Sequence, residues 1–276
     1  MRRLLLAAIA GLFAAGSASP QTMPPAPTAN DPVPSQCIAM AQAIPGATYA
    51  NFTPAAGPAV TRGEVTITYA GHSTYLIDTP GGVRIATDFS GRHGATPPPD
   101  VATMNRAHTT HYTLNPDPAI GHVLHGWGES GPARHQTVVD DVYIRNVPTD
   151  IRSWDGEMVR DGNSIFIFEV AGLCIGHLGH LHHSLTDAHY AAIGRLDILM
   201  VPVDGGMTQS LVDMSTIARR LYSSMILPMH RHSTPIREFI SLMGEGFATD
   251  FRSERSLTVS LKSLPSRPTI IVLDGV

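Results

Sequence analysis

The chain of 276 residues has a single lysine, Lys262, close to its C-terminus. Catalysis through a lysine Schiff base or a lysine nucleophile therefore has almost nothing to work with. No Gly-x-Ser-x-Gly run occurs, which removes the elbow of the serine hydrolases. Aromatic residues are scarce at 6% and charged ones make up only 15%, yet 43% of the chain is hydrophobic. That balance describes a packed globular protein with an ordinary core, neither disordered nor embedded in a bilayer. The longest apolar run, Leu4 to Gly16, holds thirteen residues and is too short to span a membrane, so stable insertion is not expected. Basic residues are in deficit, and a formal net charge of −4 argues against nucleic acid as a partner. Chemistry is left to His, Asp, Ser, Thr or a bound metal, acting on a small molecule.

The apolar run follows Arg2 and Arg3 and ends in Ser17, Ala18 and Ser19, the pattern of a secretory leader. Cleavage is expected after Ala18, because a cut after Ser19 would leave Pro20 at the new N-terminus. Residues 1–18 thus read as a signal peptide, and the mature protein as periplasmic or secreted. No cysteine follows the run, which argues against a lipid anchor. Residues 19–63 read as a Pro-rich spacer and N-terminal extension, with six prolines from Pro20 to Pro34. Residues 64–276 are long enough for one domain with a sizeable core. Export makes a bridge between Cys37 and Cys174, the only two cysteines, chemically possible. The apolar setting of Cys174 (AGLCIG) suits a buried free thiol equally well, and both readings stay open.

From Glu64 the chain alternates like strands: VTITYAG, STYLIDT and VRIATDF, separated by Gly-His, Pro-Gly-Gly and Gly-Arg turn signals. This reads as an antiparallel meander. Further on, strands SIFIFEV, LCIGHLG, DILMVPV and MILPMH are interleaved with helices expected from Thr186, Leu211 and Thr234, and LTVSLKSL and TIIVLDG close the chain. Strands interleaved with helices imply an α/β fold whose sheets are covered on their outer faces. The segment from Gly121 to Asp150, with HGWGESG and VYIRNVPTD, suits a lid or pocket wall, with Trp127 as an apolar anchor or as a packed structural residue.

All fourteen histidines fall between His72 and His232. Three groups stand just after expected strands: His108 and His111 in RAHTTH, His177, His180, His182 and His183 in GHLGHLHH, and His230 in LPMHRH. Imidazole is a common ligand of zinc and similar ions, and catalytic metal sites draw ligands from loops at strand ends. Any one of these histidines is more readily explained as a hydrogen-bonded or surface residue; their repeated placement after strands is what points to an ion. His72 fits a strand turn at least as well as a pocket, and Ser73 and Ser184 fit caps or turns. His93, His122, His125, His135 and His189 carry no signal beyond ordinary packing or exposure.

The ordered motifs GHSTYLIDT, VRIATDFSG, RAHTTHYT, LCIGHLGHLHH, DILMVPVDGG and MILPMH, spread from about Glu64 to Met243, resemble the metallo-β-lactamase superfamily. Within it they are most similar to the branch of metal-dependent hydrolases that contains the ascorbate-6-phosphate lactonases. The resemblance implies an αββα sandwich with a metal site at one edge. It sets Arg106, His108, Thr110 and His111 against the ligand motif His-x-His-x-Asp-His, so that arginine and threonine stand where a histidine and an aspartate bind metal in the family. It sets His177 and His230 at later ligand positions, His180 where the family has a metal-bridging aspartate, and Asp88 as the aspartate that supports the ligand loop from behind.

The implied ligand set, His108, His111, His177, His180 and His230, has no carboxylate, so one ion is expected rather than two. Such an ion keeps its full charge and strongly lowers the pKa of its bound water. Zinc is favoured, while iron, manganese and copper also suit imidazole donors. The expected activity is hydrolysis of an ester, lactone, amide or phosphoester by metal-bound hydroxide, with Arg106, Thr110 and Asp88 as further site residues. Arg106 could grip an anionic substrate group or pair with a neighbouring acid. A second reading, drawn from Arg106 and Thr110, is a binding protein of the same fold that has lost turnover. A third is a redox metal protein.

Overall fold

Alternating burial builds two sheets. The computed structural model describes residues 35–41, 63–92, 97–153 and 155–276; the expected signal peptide and most of the spacer lie outside them. β1 (Val65–Gly71), β2 (Thr74–Asp78) and β3 (Arg84–Ala86) form the expected antiparallel meander. β4 (Val101–Met104) and β5 (His122–His125) continue it in parallel. β6 (Gln136–Val139), β7 (Val142–Arg152), β8 (Met158–Val170) and β9 (Leu173–His177) run antiparallel in the second sheet. β10 (Ile198–Pro202) and β11 (Met225–Met229) extend it in parallel with β9. β12 (Ala248–Phe251) and β14 (Thr269–Val272) complete that sheet, and β13 (Ser256–Val259) returns to pair with β1. The strand orders are β13-β1-β2-β3-β4-β5 and β12-β14-β11-β10-β9-β8-β7-β6.

Period-two alternation decides which side chains face which layer. Tyr75, Ile77 and Ile85 of the first sheet meet Phe166, Phe168, Ile175 and Leu227 of the second in the central core. Burying each of these side chains contributes about 1.5–3 kcal/mol. Their neighbours Ile165, Ile167, Leu199, Val201 and Ile226 point the other way, under the helices. β10 and β11 are buried along their whole length, as parallel strands covered on both faces must be. α3 (Leu211–Leu221) buries Met214, Ile217 and Ala218 at helical spacing, and Ser210 caps it by accepting the Asp213 N–H. α4 (Ile236–Met243) buries Phe239 and Met243 one turn apart. α2 (Asp187–Ile193) begins with a reciprocal capping box between Thr186 and His189, which is what His189 does.

The two-sheet α/β sandwich expected from the motifs is the fold observed. Helices α2–α4 belong to the eight-stranded side. On the outer face of the six-stranded sheet Ala86, Ala102 and Met104 are covered, among the described residues, by Phe89, Tyr112, Ile120 and Trp127 from loops. Trp127 stacks on His125, with ring centroids 4.5 Å apart, so it is a packed structural residue. One expectation is corrected: the VYIRNVPTD half of the suggested lid is β7, an interior strand. Its four buried residues Val142–Arg145, followed by alternating burial to Ile151, are a strand signal that outweighs its neighbouring glycines.

Part of the stretch read as an N-terminal extension joins the domain. α1 (Gln36–Ala41) is tied down by a disulfide between Cys37 and Cys174, with Cα atoms 6.0 Å apart. The Gln36 N–H donates to Glu169 at 2.9 Å, and Glu169 pairs with Arg145 at 2.8 Å. Arg145 in turn donates to the Ala192 and Ile193 carbonyls at the end of α2, both at 2.7 Å. A bridge closing so long a loop contributes about 2–5 kcal/mol. No helix among the described residues is long and apolar enough to cross a membrane.

Candidate metal centre

Two hydrogen bonds sew the sheets together at one edge. The His230 N–H donates to the His72 carbonyl at 2.7 Å, and the Tyr75 hydroxyl to the Pro228 carbonyl at 2.8 Å. The parallel strands β9, β10 and β11 end at this edge, delivering the loops that carry His180, Asp204 and His230. The β1–β2 turn brings His72 and Ser73, the end of β3 brings Asp88, and the loop after β4 brings His108, Thr110 and His111. Three of these residues, His72, Asp88 and His230, hold positive φ angles of 54°, 44° and 50°. Left-handed backbone at a side-chain-bearing residue costs about 1–3 kcal/mol and persists only where the surroundings over-determine it.

His72, His108, His111 and His230 each offer a donor atom, and these atoms lie within 4.8 Å of one another. His111 Nδ1 bonds Asp88 at 2.8 Å and also approaches the Ser73 hydroxyl at 3.1 Å. His230 Nδ1 bonds Asp204 at 2.9 Å. A carboxylate accepts, so both Nδ1 atoms carry the proton and both Nε2 atoms present a lone pair. Those Nε2 atoms are buried with no hydrogen-bond partner. His108 Nδ1 and His72 Nε2 share the Thr110 hydroxyl, at 2.6 Å and 2.9 Å.

Electrostatics favour the neutral form of His111 and His108. Burial, then the neighbouring imidazoles of His230, His108, His72 and His177, hold His111 well below the usual histidine range. Burial and His230 lower His108 as well. The two carboxylates differ. Burial raises the Asp88 carboxyl, only partly offset by His177 and by the Asn105 amide that donates to it at 2.7 Å. Burial also opposes charge on Asp204, but bonds from His230, the Thr208 hydroxyl and the N–H groups of Thr208 and Gly206 hold it far below the carboxylate range.

The remaining residues named from the sequence fall in different places. His180 is buried against the cluster, its ring centroid 4.6–5.0 Å from those of His108, His111 and His230. His177 does not join it: Nε2 donates to the Ser73 carbonyl at 2.8 Å and Nδ1 accepts the Gly179 N–H at 3.1 Å, which occupies both ring nitrogens. Arg106 is exposed, with its backbone N–H on the Gly162 carbonyl at 3.2 Å. His182 accepts the Arg152 N–H at 3.2 Å, and burial, then Arg152, lowers it to about 4. His72 and Asp204 were not selected from the sequence. The signal was there in part, since each lies within two residues of a strand end, as His230 and Asp88 do.

One glycine is required by this geometry. Gly179 has φ +62°, and a Cβ on it would overlap the amides of Asn105 and Asn163. Asn105 holds Asp88, and Asn163 accepts the His180 N–H at 2.7 Å. Gly179→Ala is therefore expected to destabilise the protein by about 2–4 kcal/mol, combining backbone strain with displaced buried amides. It should weaken metal uptake at the same time. A melting temperature and metal content both equal to wild type would contradict this packing.

The model of the beta-lactamase superfamily domain matches residues 66–230. The chain belongs to this superfamily. Its fold is similar to that of a Thermotoga maritima protein assigned as a Zn-dependent hydrolase of the metallo-beta-lactamase superfamily, with 25% identity and a TM-score of 0.54 over 76% of this chain and 98% of that one. It is also similar in fold to Igni18, a metallo hydrolase from Ignicoccus hospitalis, with 18% identity and a TM-score of 0.56 over 72% and 100% of the two chains. No curated protein matches the sequence significantly. As a member of the superfamily, the protein has a histidine cluster able to hold a metal ion at the edge of its sandwich, with two carboxylates one layer behind it.

Proposed function

We propose that the protein is a metal-dependent hydrolase of small esters, lactones, amides or phosphoesters. The observation that carries this reading is the pair of orphaned, carboxylate-backed Nε2 atoms on His111 and His230, set among four converging imidazole donors. Buried nitrogen lone pairs without partners are costly unless something fills the space between them. An imidazole whose other nitrogen donates to a carboxylate is a common arrangement for a metal ligand. The donor set fits one divalent ion: His108, His111 and His230 would hold it, with His72 as a fourth donor, and zinc is favoured. When bound, such an ion would activate water toward hydroxide near neutral pH and polarise a carbonyl or phosphoryl oxygen.

The chain's own residues supply the rest. Asp88 and Asp204 fix the tautomers of His111 and His230, so their lone pairs face inward without reorganisation. The Thr110 hydroxyl can accept N–H bonds from His72 and His108 together, which turns the other nitrogen of each ring free of its proton. Threonine in place of an anionic ligand leaves the set neutral and favours one ion over two. Exposed Arg106, two residues before His108, is placed at the start of the ligand loop and would meet an anionic part of a substrate. The narrower likeness to ascorbate-6-phosphate lactonases in the sequence motifs makes lactones the first compounds to screen.

We also place the mature protein in the periplasm or outside the cell, from the leader-like residues 1–18 and the Cys37–Cys174 bridge, since disulfides persist in oxidising compartments. The test of function is hydrolysis of a panel of aryl esters, lactones and phosphodiesters before and after chelation. Turnover lost with chelator and restored by zinc is expected. A fully loaded protein inert across the panel would support the binding-protein reading instead.

A further inference from the structure

His180 is the one histidine at the site whose two ring nitrogens are both buried and both without a partner. The side chain is 3% exposed. Its ring stands edge-on to those of His108, His111 and His230, at interplanar angles of 85°, 90° and 88°. It is therefore flanked by three of the donors, yet it is not among the four whose donor atoms lie within 4.8 Å of one another. The backbone that carries the ring is fixed: the His180 main-chain N–H donates to Asn163 at 2.7 Å, and the Asn163 amide donates in turn to the Thr149 hydroxyl at 2.8 Å. A neutral imidazole always carries one N–H, and an N–H left unpaired in a dry site is a donor waiting for an acceptor. Neither ring nitrogen has a hydrogen-bond partner in the protein, so an acceptor that arrives with a ligand would satisfy this N–H.

We propose that His180 is a catalytic hydrogen-bond donor, not a fifth ligand: its N–H receives the anionic oxygen of an acyl or phosphoryl substrate bound at the four-histidine centre. This assignment rests on the hydrolase reading above. It narrows the substrate to compounds whose reaction concentrates negative charge on one oxygen, the carbonyl oxygen of an ester or lactone or a non-bridging phosphoryl oxygen. Fixed donors aimed at such an oxygen in a water-poor site are worth about 10²–10³ in rate.

The test compares zinc-loaded wild type with His180→Leu and His180→Gln, reading metal content, melting temperature and calorimetric affinity for inorganic phosphate as a tetrahedral oxyanion probe. Both variants should keep the wild-type metal content. His180→Leu should bind phosphate roughly 10-fold or more weakly, and His180→Gln, which retains an N–H, should recover most of the loss. Loss of metal in a folded His180→Gln protein would make His180 a ligand and overturn the proposal, as would unchanged phosphate affinity in fully loaded His180→Leu. A wild type that takes up no metal at all would instead remove the hydrolase reading, a failure visible before any variant is made.

Discussion

His111→Ala and His230→Ala proteins are expected to emerge from purification nearly free of metal, while His177→Ala keeps the wild-type content. Each of the first two removes a buried Nε2 lone pair at the centre and leaves a carboxylate, Asp88 or Asp204, with an empty place beside it. Loss of a supporting partner alone typically weakens a metal about 10–100-fold, and loss of the ligand itself should exceed that. His177→Ala takes nothing from the donor set, because its nitrogens serve the Ser73 carbonyl and the Gly179 N–H. Its cost should appear as stability, about 1–3 kcal/mol for the buried groups it leaves unpaired. Elemental analysis beside thermal melts separates the two behaviours. Equal metal content across wild type, His108→Ala, His111→Ala and His230→Ala would end the case for this centre.

Asp204→Asn should be nearly as damaging as loss of His230, although it changes only one atom. Oδ1 of Asp204 accepts the N–H groups of Gly206, Met207 and Thr208 at 2.9, 2.6 and 2.9 Å. Oδ2 accepts from the Thr208 hydroxyl at 2.6 Å and from His230 at 2.9 Å. With the three backbone donors claiming the oxygen of an asparagine, its NH₂ must face His230. The imidazole then has to move its proton to Nε2, which turns a lone pair at the metal into an N–H. Metal affinity is expected to fall about 10–100-fold, with little change in the far-ultraviolet circular dichroism. Wild-type affinity in Asp204→Asn would show that His230 does not depend on this tautomer.

Most of the fold was legible in alternating strands and short apolar runs. The strands around VTITYAG and STYLIDT follow from alternation, those around SIFIFEV and DILMVPV from short continuous apolar runs, and the helices after Thr186 and Ser210 from their caps. What misled was context. VYIRNVPTD reads as a loop wall beside HGWGESG, yet it forms most of β7, buried at its start and alternating from Arg145 on. α1 has too few residues and too many neighbouring prolines to announce a helix; the disulfide and Glu169 hold it.

The site was legible as a gathering of loops and less so as a set of atoms. Position after a strand brings a residue to the right edge but does not say which way its ring turns. His177 sits at the end of β9 and points into the seam, where two backbone groups take it. His72, which fits a turn or a pocket equally well in the sequence, has a left-handed backbone at the cluster, with its carbonyl on the His230 N–H. Asp204 lies 26 residues before its partner, and only the parallel pairing of β10 with β11 brings their ends together. Orientation of this kind depends on tertiary hydrogen bonds that no local pattern encodes.

His72, His108, His111 and His230 would form a single metal centre. Elemental analysis by mass spectrometry of mature protein, purified without chelator or histidine tag, tests it most directly. About one equivalent of a divalent metal, zinc foremost, is expected, removable by chelator and restored on addition of the ion. Protein that stays metal-free after reconstitution would contradict it, and two tightly held equivalents would contradict the single-ion centre.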